Sequence, residues 1–66
     1  MNNFAEYLKE LRAEKRIGVR ELGRTVGVTG MHISNMEKGK SLPSPGLIVK
    51  LSLALDVDVD EMSHRA

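Results

Sequence analysis

The sequence predicts an all-α protein, a compact bundle of five short helices. Three observations predict it. Five short segments carry apolar residues at helical spacing, and glycines and prolines separate them. Residues that cap helices stand at the segment boundaries. The composition, 41% hydrophobic and 29% charged, lies in the ordinary globular range. With one Phe, one Tyr and no Trp, the core has to be built from Leu, Ile, Val and Met.

The first segment runs from Asn3 to about Lys15, with Phe4, Leu8 and Leu11 on one face. Asn3 and Glu6 form a candidate capping pair, and Lys15 and Arg16 suit the negative end of the helix. The second runs from Val19 to Val26, with Val19, Leu22, Gly23 and Val26 facing inward and Gly27 as the stop. The third has Thr29 as its N-cap, Ile33 and Met36 inward, and Lys38 at its end before a second stop, Gly39. The fourth starts at Ser44-Pro45, an N-cap followed by proline in the first helical position, and carries the stripe Leu47, Ile48, Leu51 and Leu55. The fifth is short. Asp58 and Glu61 repeat the capping spacing, with Val59 and Met62 on the apolar side.

A chain of 66 residues has room for one domain, taken here as residues 1–66. Such a domain buries roughly 60% of its unfolded surface and is marginal alone. Cysteine is absent, so no disulfide or Cys-based zinc site adds stability, and dimerisation is the remaining source. No segment approaches the length of a membrane span, and Met1 to Phe4 do not read as a secretory signal. The expectation is a soluble, cytoplasmic protein with no membrane partner.

The net charge of +1 is unevenly spread. Residues 1–40 hold eight Lys/Arg against five Glu, and residues 41–66 hold two Lys/Arg against four Asp/Glu. One part of the molecule is therefore suited to phosphates and the other is not.

The stretch from Leu22 to Gly39 carries the functional reading. Only Gly27, Val28 and Thr29 separate the second and third helical segments, which forces the two helices to cross steeply. This is a helix-turn-helix, spanning about residues 19–38. A duplex major groove admits one α-helix, braced by the helix before it. The inserted helix needs one apolar side for anchorage and one polar side for reading. Thr29, Met31, His32, Ser34, Asn35 and Lys38 lie off the Ile33/Met36 side, as that requires.

Leu8-Lys9-Glu10-Leu11-Arg12, Glu21-Leu22, Gly27-Val28-Thr29, Ile33-Ser34, Glu37-Lys38-Gly39-Lys40, Pro43 and Ala54 through Glu61 together resemble the Xre-type, phage-repressor-like helix-turn-helix family. The resemblance covers nearly the whole chain without gaps. It implies a lambda-repressor-like domain of prokaryotic or phage type, a homodimer that regulates transcription by binding a near-palindromic operator in double-stranded DNA. It also implies that Arg12 and Glu37 form a partly buried ion pair tying the first helix to the end of the third. Met31 and Asn35 fall where the family reads bases. His32 is a further candidate for a base or for a phosphate. Lys38, Lys40 and Ser41 fall where the family's backbone clamps a phosphate. Thr29, Ser34, Arg20 and Arg24 complete the phosphate candidates.

Two departures bear on the reading. Gly18 and Val19 stand where the family has Ser or Thr followed by Gln, and Gly30 stands where it often has a polar or basic reader. Fewer direct contacts imply more reliance on DNA shape. For self-association the candidate surface is C-terminal, formed by Leu55, Val57, Val59 and Met62.

Enzymatic activity is not expected. His32 and His64 are the only histidines, and no catalytic triad, metal-ligand grouping or phosphate-binding loop occurs, so no cofactor is implied. The alternative to a DNA-binding regulator is an antitoxin- or coactivator-like module that binds a protein partner, with DNA secondary.

Overall fold

The computed structural model describes the backbone of residues 3–66 and the side chains from Phe4 onward. Among the described residues there are five helices and no strand: α1 (Asn3–Lys15), α2 (Val19–Val26), α3 (Gly30–Glu37), α4 (Pro45–Leu55) and α5 (Val59–Arg65). The all-α expectation is met segment by segment. The capping role expected of the Asn3 side chain lies outside the described residues.

Three N-caps are made by side chains. The Thr29 hydroxyl accepts from the His32 N–H at 3.0 Å and the Ser44 hydroxyl from the Leu47 N–H at 3.2 Å. Asp58 accepts from the Asp60 N–H at 2.9 Å. Its expected partner Glu61 does not reach back. Glu61 instead accepts a hydrogen bond from the Tyr7 phenol at 3.3 Å, which ties α5 to α1. Arg65 adds to the same tie, its guanidinium 4.7 Å from the centre of the Tyr7 ring. Burial first, and the Glu61 carboxylate second, hold the Tyr7 phenol above its ordinary pKa.

Four helices stop in the same way. A left-handed residue follows each of α1 to α4: Arg16, Gly27, Gly39 and Asp56. The next N–H then reaches back five residues, Ile17 to Arg12, Val28 to Gly23, Lys40 to Asn35 and Val57 to Ser52, at 2.8 to 3.2 Å. In three of the four, that next residue is apolar and packs on the core: Ile17, Val28 and Val57.

The core joins every helix. Phe4 and Leu8 from α1, Leu22 and Val26 from α2, Ile33 and Met36 from α3, Leu47, Ile48, Leu51 and Leu55 from α4, and Met62 from α5 form one buried cluster. Ser52 is buried among them, and its hydroxyl donates to the Ile48 carbonyl at 2.8 Å.

This packing corrects one expectation. Leu55 and Met62, read as part of a self-association surface, are both fully buried. The stripe of α4 and the apolar side of α5 close on each other and on α1, so neither side chain faces outward. Val57 and Val59 are half-buried against the same core.

Candidate nucleic-acid interface

The placement of α3 depends on two glycines. Val28 and Thr29 pass directly over Gly23, where a Cβ would stand 2.6 Å from the Val28 carbonyl oxygen and 2.9 Å from the Thr29 carbonyl carbon. Both are backbone atoms and cannot swing aside. Gly30, the first residue of α3, lies against α2, and a Cβ there would come within 3.1 Å of Arg20 Cα. Position 30 therefore faces the bracing helix. That is the local reason a larger reader is absent from it.

The far end of α3 is fixed by charge. Arg12 Nε donates to Glu37 Oε2 at 2.6 Å, and Arg12 Nη2 donates to Glu37 Oε1 at 3.1 Å. The remaining guanidinium nitrogen, Nη1, donates to the Ile17 carbonyl at 2.8 Å. The pair is two-pronged and mostly withdrawn from water, with Arg12 at 23% and Glu37 at 9% exposure. The hydrogen bond to Glu37 raises the Arg12 pKa further above its ordinary value. One arginine thus joins α1, the turn after it and the end of α3.

Held at both ends, α3 divides into two sides. Ile33 and Met36 are fully buried, while Met31 is 74% exposed. An open groove of about 460 Å³ runs between Val19 and Arg20 of α2 and the outward side of α3, where Gly30, Met31, Ser34, Asn35 and Lys38 line it. Five of the residues singled out in the sequence therefore share one concave surface: Arg20, Met31, Ser34, Asn35 and Lys38.

The other candidates lie around it or apart from it. His32 is half-buried and faces a second groove, of about 370 Å³, shared with Val28, Leu42, Ser44 and Lys50. It is not brought together with Met31 and Asn35. Thr29 is exposed and caps the start of α3. Lys40 is exposed, with its backbone N–H anchored to the Asn35 carbonyl at 2.9 Å, and Ser41 is half-buried beside it. Arg24 is exposed one turn along α2 from Arg20 and does not line the groove.

Chemically, the groove offers an amide with both donor and acceptor, a flexible thioether, a hydroxyl and two cations. Sequence reasoning missed the reason for Gly30, since nothing in the chain announces how closely α2 approaches. It also missed the exposed residues Val49 and Leu53 on α4, which periodicity places off the core stripe without giving them a use.

The chain is similar to known proteins over nearly all of its length. The helix-turn-helix domain model matches residues 3–64. The HTH-type transcriptional repressor RghR of Bacillus subtilis (strain 168) is 36% identical over an alignment of 67 positions, which covers 100% of this chain and 50% of RghR. The HTH-type transcriptional regulator YgzD of Bacillus subtilis (strain 168) is 36% identical over 55 positions, 83% of each chain. The chain spans about half the length of RghR and of a second such regulator, RghRB (48%). Among solved structures, the P22 c2 repressor in complex with synthetic operator 9T matches with a TM-score of 0.86 and 27% identity, covering 94% of both chains. These relatives are transcriptional regulators, in agreement with the non-enzymatic expectation. No described helix is long and apolar enough to cross a membrane.

Proposed function

The chain belongs to the helix-turn-helix family, in its Xre-type, phage-repressor-like branch, and from that premise we propose that it is a sequence-specific, DNA-binding transcription regulator. The observation that carries the proposal is the two-sidedness of α3. A fully buried Ile33/Met36 side anchors it, and an outward side presents Met31 and Asn35 to a groove flanked by Arg20 and Lys38.

In this reading α3 enters the major groove. Asn35 pairs with an adenine edge, and Met31 packs on a thymine methyl. Arg20, Ser34 and Lys38 meet phosphates along the rims of the groove. Thr29, Arg24, Lys40 and Ser41 extend that contact on either side. The separate position of His32 favours a phosphate or flanking contact over a share in base reading.

The reading includes a homodimer on a near-palindromic operator. The molecule extends 25 Å along its longest axis. Successive major-groove faces lie about 34 Å apart, so one copy serves one half-site and two copies serve an operator. The likeness to a repressor solved in complex with a synthetic operator supports the DNA-binding part of this reading.

The test is selection from a random duplex library at fixed salt, followed by magnetic-resonance titration with the selected duplex. A recovered consensus and shifts confined to Thr29–Lys40 and α2 are the expected results. A library that returns no consensus refutes the proposal.

A further inference from the structure

The sequence holds four methionines and no cysteine. Met36 and Met62 are fully buried, and the Met62 sulfur accepts from the Ser52 hydroxyl at 3.5 Å inside the core. Met31 is different. It is 74% exposed, although it stands on the same helix as Met36. It is not among the residues that pack on the core, and it lines the open groove with Arg20, Ser34 and Asn35. Met1 lies outside the described residues.

Access decides which of these sulfurs an oxidant meets. A peroxide must touch the sulfur lone pair, and a close-packed interior denies that at Met36 and Met62. The chain has no thiol to react first. The groove then gives oxidation at Met31 a consequence that it would not have at a solvated position elsewhere.

We infer that Met31 is a site of reversible oxidation, and that its conversion to the sulfoxide by a peroxide weakens the hold of α3 on its preferred duplex. The inference rests on the DNA-reading proposal above. In the forward step the Met31 sulfur attacks one oxygen of hydrogen peroxide. The S–O bond forms as the O–O bond breaks, and the second oxygen leaves as hydroxide, which takes the proton from the first to become water. Sulfur loses two electrons and the peroxide gains them. The return step, by methionine sulfoxide reductase, consumes two thiols, which close to a disulfide, and releases the oxygen as water.

The product no longer suits its place. A thioether packs well on a methyl group, whereas the sulfoxide oxygen is a strong acceptor to which a thymine methyl offers no donor. Pressing it against the base edge strips its water without replacing the hydrogen bonds. The fold is spared, because Met31 takes no part in the core.

The test oxidises the free chain with hydrogen peroxide and locates each added oxygen by peptide mass spectrometry. Met31 is expected to react at least about tenfold faster than Met36 or Met62. The selected duplex, present during the reaction, is expected to slow it at Met31. With the peroxide removed, the oxidised chain should keep its circular dichroism and bind the selected duplex about tenfold or more weakly by fluorescence anisotropy. The two methionine sulfoxide reductases, one for each sulfoxide epimer, should restore binding with dithiothreitol as reductant. Met31→Leu changes the reading contact itself, so the quantity compared is the ratio of its affinities before and after peroxide, expected at about one. Oxidation of Met31 no faster than Met36, an oxidised chain of undiminished affinity, or a Met31→Leu chain as sensitive as the wild type each overturns the inference and leaves the DNA reading standing. A library that returns no consensus overturns both.

Discussion

Asn35 and Glu37 stand two residues apart on α3 and do different work. Asn35 lines the outward groove, so under the proposed function its removal is expected to alter reading rather than packing. Asn35→Ala is expected to cost about 1–3 kcal/mol of binding to the selected duplex and little on random duplex. Fluorescence anisotropy on both duplexes measures the difference, and an equal loss on both removes Asn35 from the reading role. Glu37 acts through Arg12. With Arg12 at 23% exposure, the guanidinium left behind by Glu37→Ala is partly solvated and keeps its bond to Ile17. The loss should therefore fall below that of a fully buried pair, at about 1–3 kcal/mol. In denaturant unfolding, Arg12→Ala and Glu37→Ala together should cost clearly less than the sum of the single changes. Strict additivity would show that the two residues stabilise the fold independently.

At the scale of elements, helix starts and helix ends were legible to different degrees. Thr29, Ser44 and Asp58 announce their helices, because a short oxygen-bearing side chain ahead of an apolar stripe has one good use. Gly27 and Gly39 announce two of the stops. Arg16 and Asp56 adopt the same left-handed backbone without glycine, and residue type alone does not flag them. The legible sign was the following residue. Ile17 and Val57 are apolar, and burying them holds the preceding residue in an otherwise disfavoured conformation. Gly23 shows the limit of propensity. On an exposed helix, Gly→Ala stabilises by about 1 kcal/mol. Here the new Cβ would stand 2.6 Å from the Val28 carbonyl, so the turn must lift and α3 must shift with it. Gly23→Ala is therefore expected to destabilise by about 1–3 kcal/mol, against its propensity, and to weaken binding to the selected duplex. Thermal unfolding checks the sign; a raised midpoint would mean that the turn yields freely.

For the whole molecule, the distribution of charge matters more than its total. The net +1 would give a weak nonspecific affinity if it were spread evenly. The excess of cations in residues 1–40 instead lies on the part that contains α2 and α3, and the acidic run from Asp56 to Glu61 lies on α5 and its approach. This polarity was legible in the sequence. The use made of Leu55 and Met62 was not, because an apolar stripe reads alike whether it packs on its own chain or on a second one. Two cations on different segments separate placement from net charge. Lys40 is exposed just beyond α3, whereas Arg65 lies over the Tyr7 ring on α5. Each change to alanine removes one positive charge. If Lys40 neutralises a phosphate, Lys40→Ala lowers the slope of log affinity against log salt by about one unit, on selected and random duplex alike. Arg65→Ala should leave the slope unchanged, since its charge lies on α5 over the Tyr7 ring, which the Glu61 carboxylate also faces. Equal changes of slope for the two variants would mean that total charge sets the affinity and that α3 has no privileged face toward the duplex.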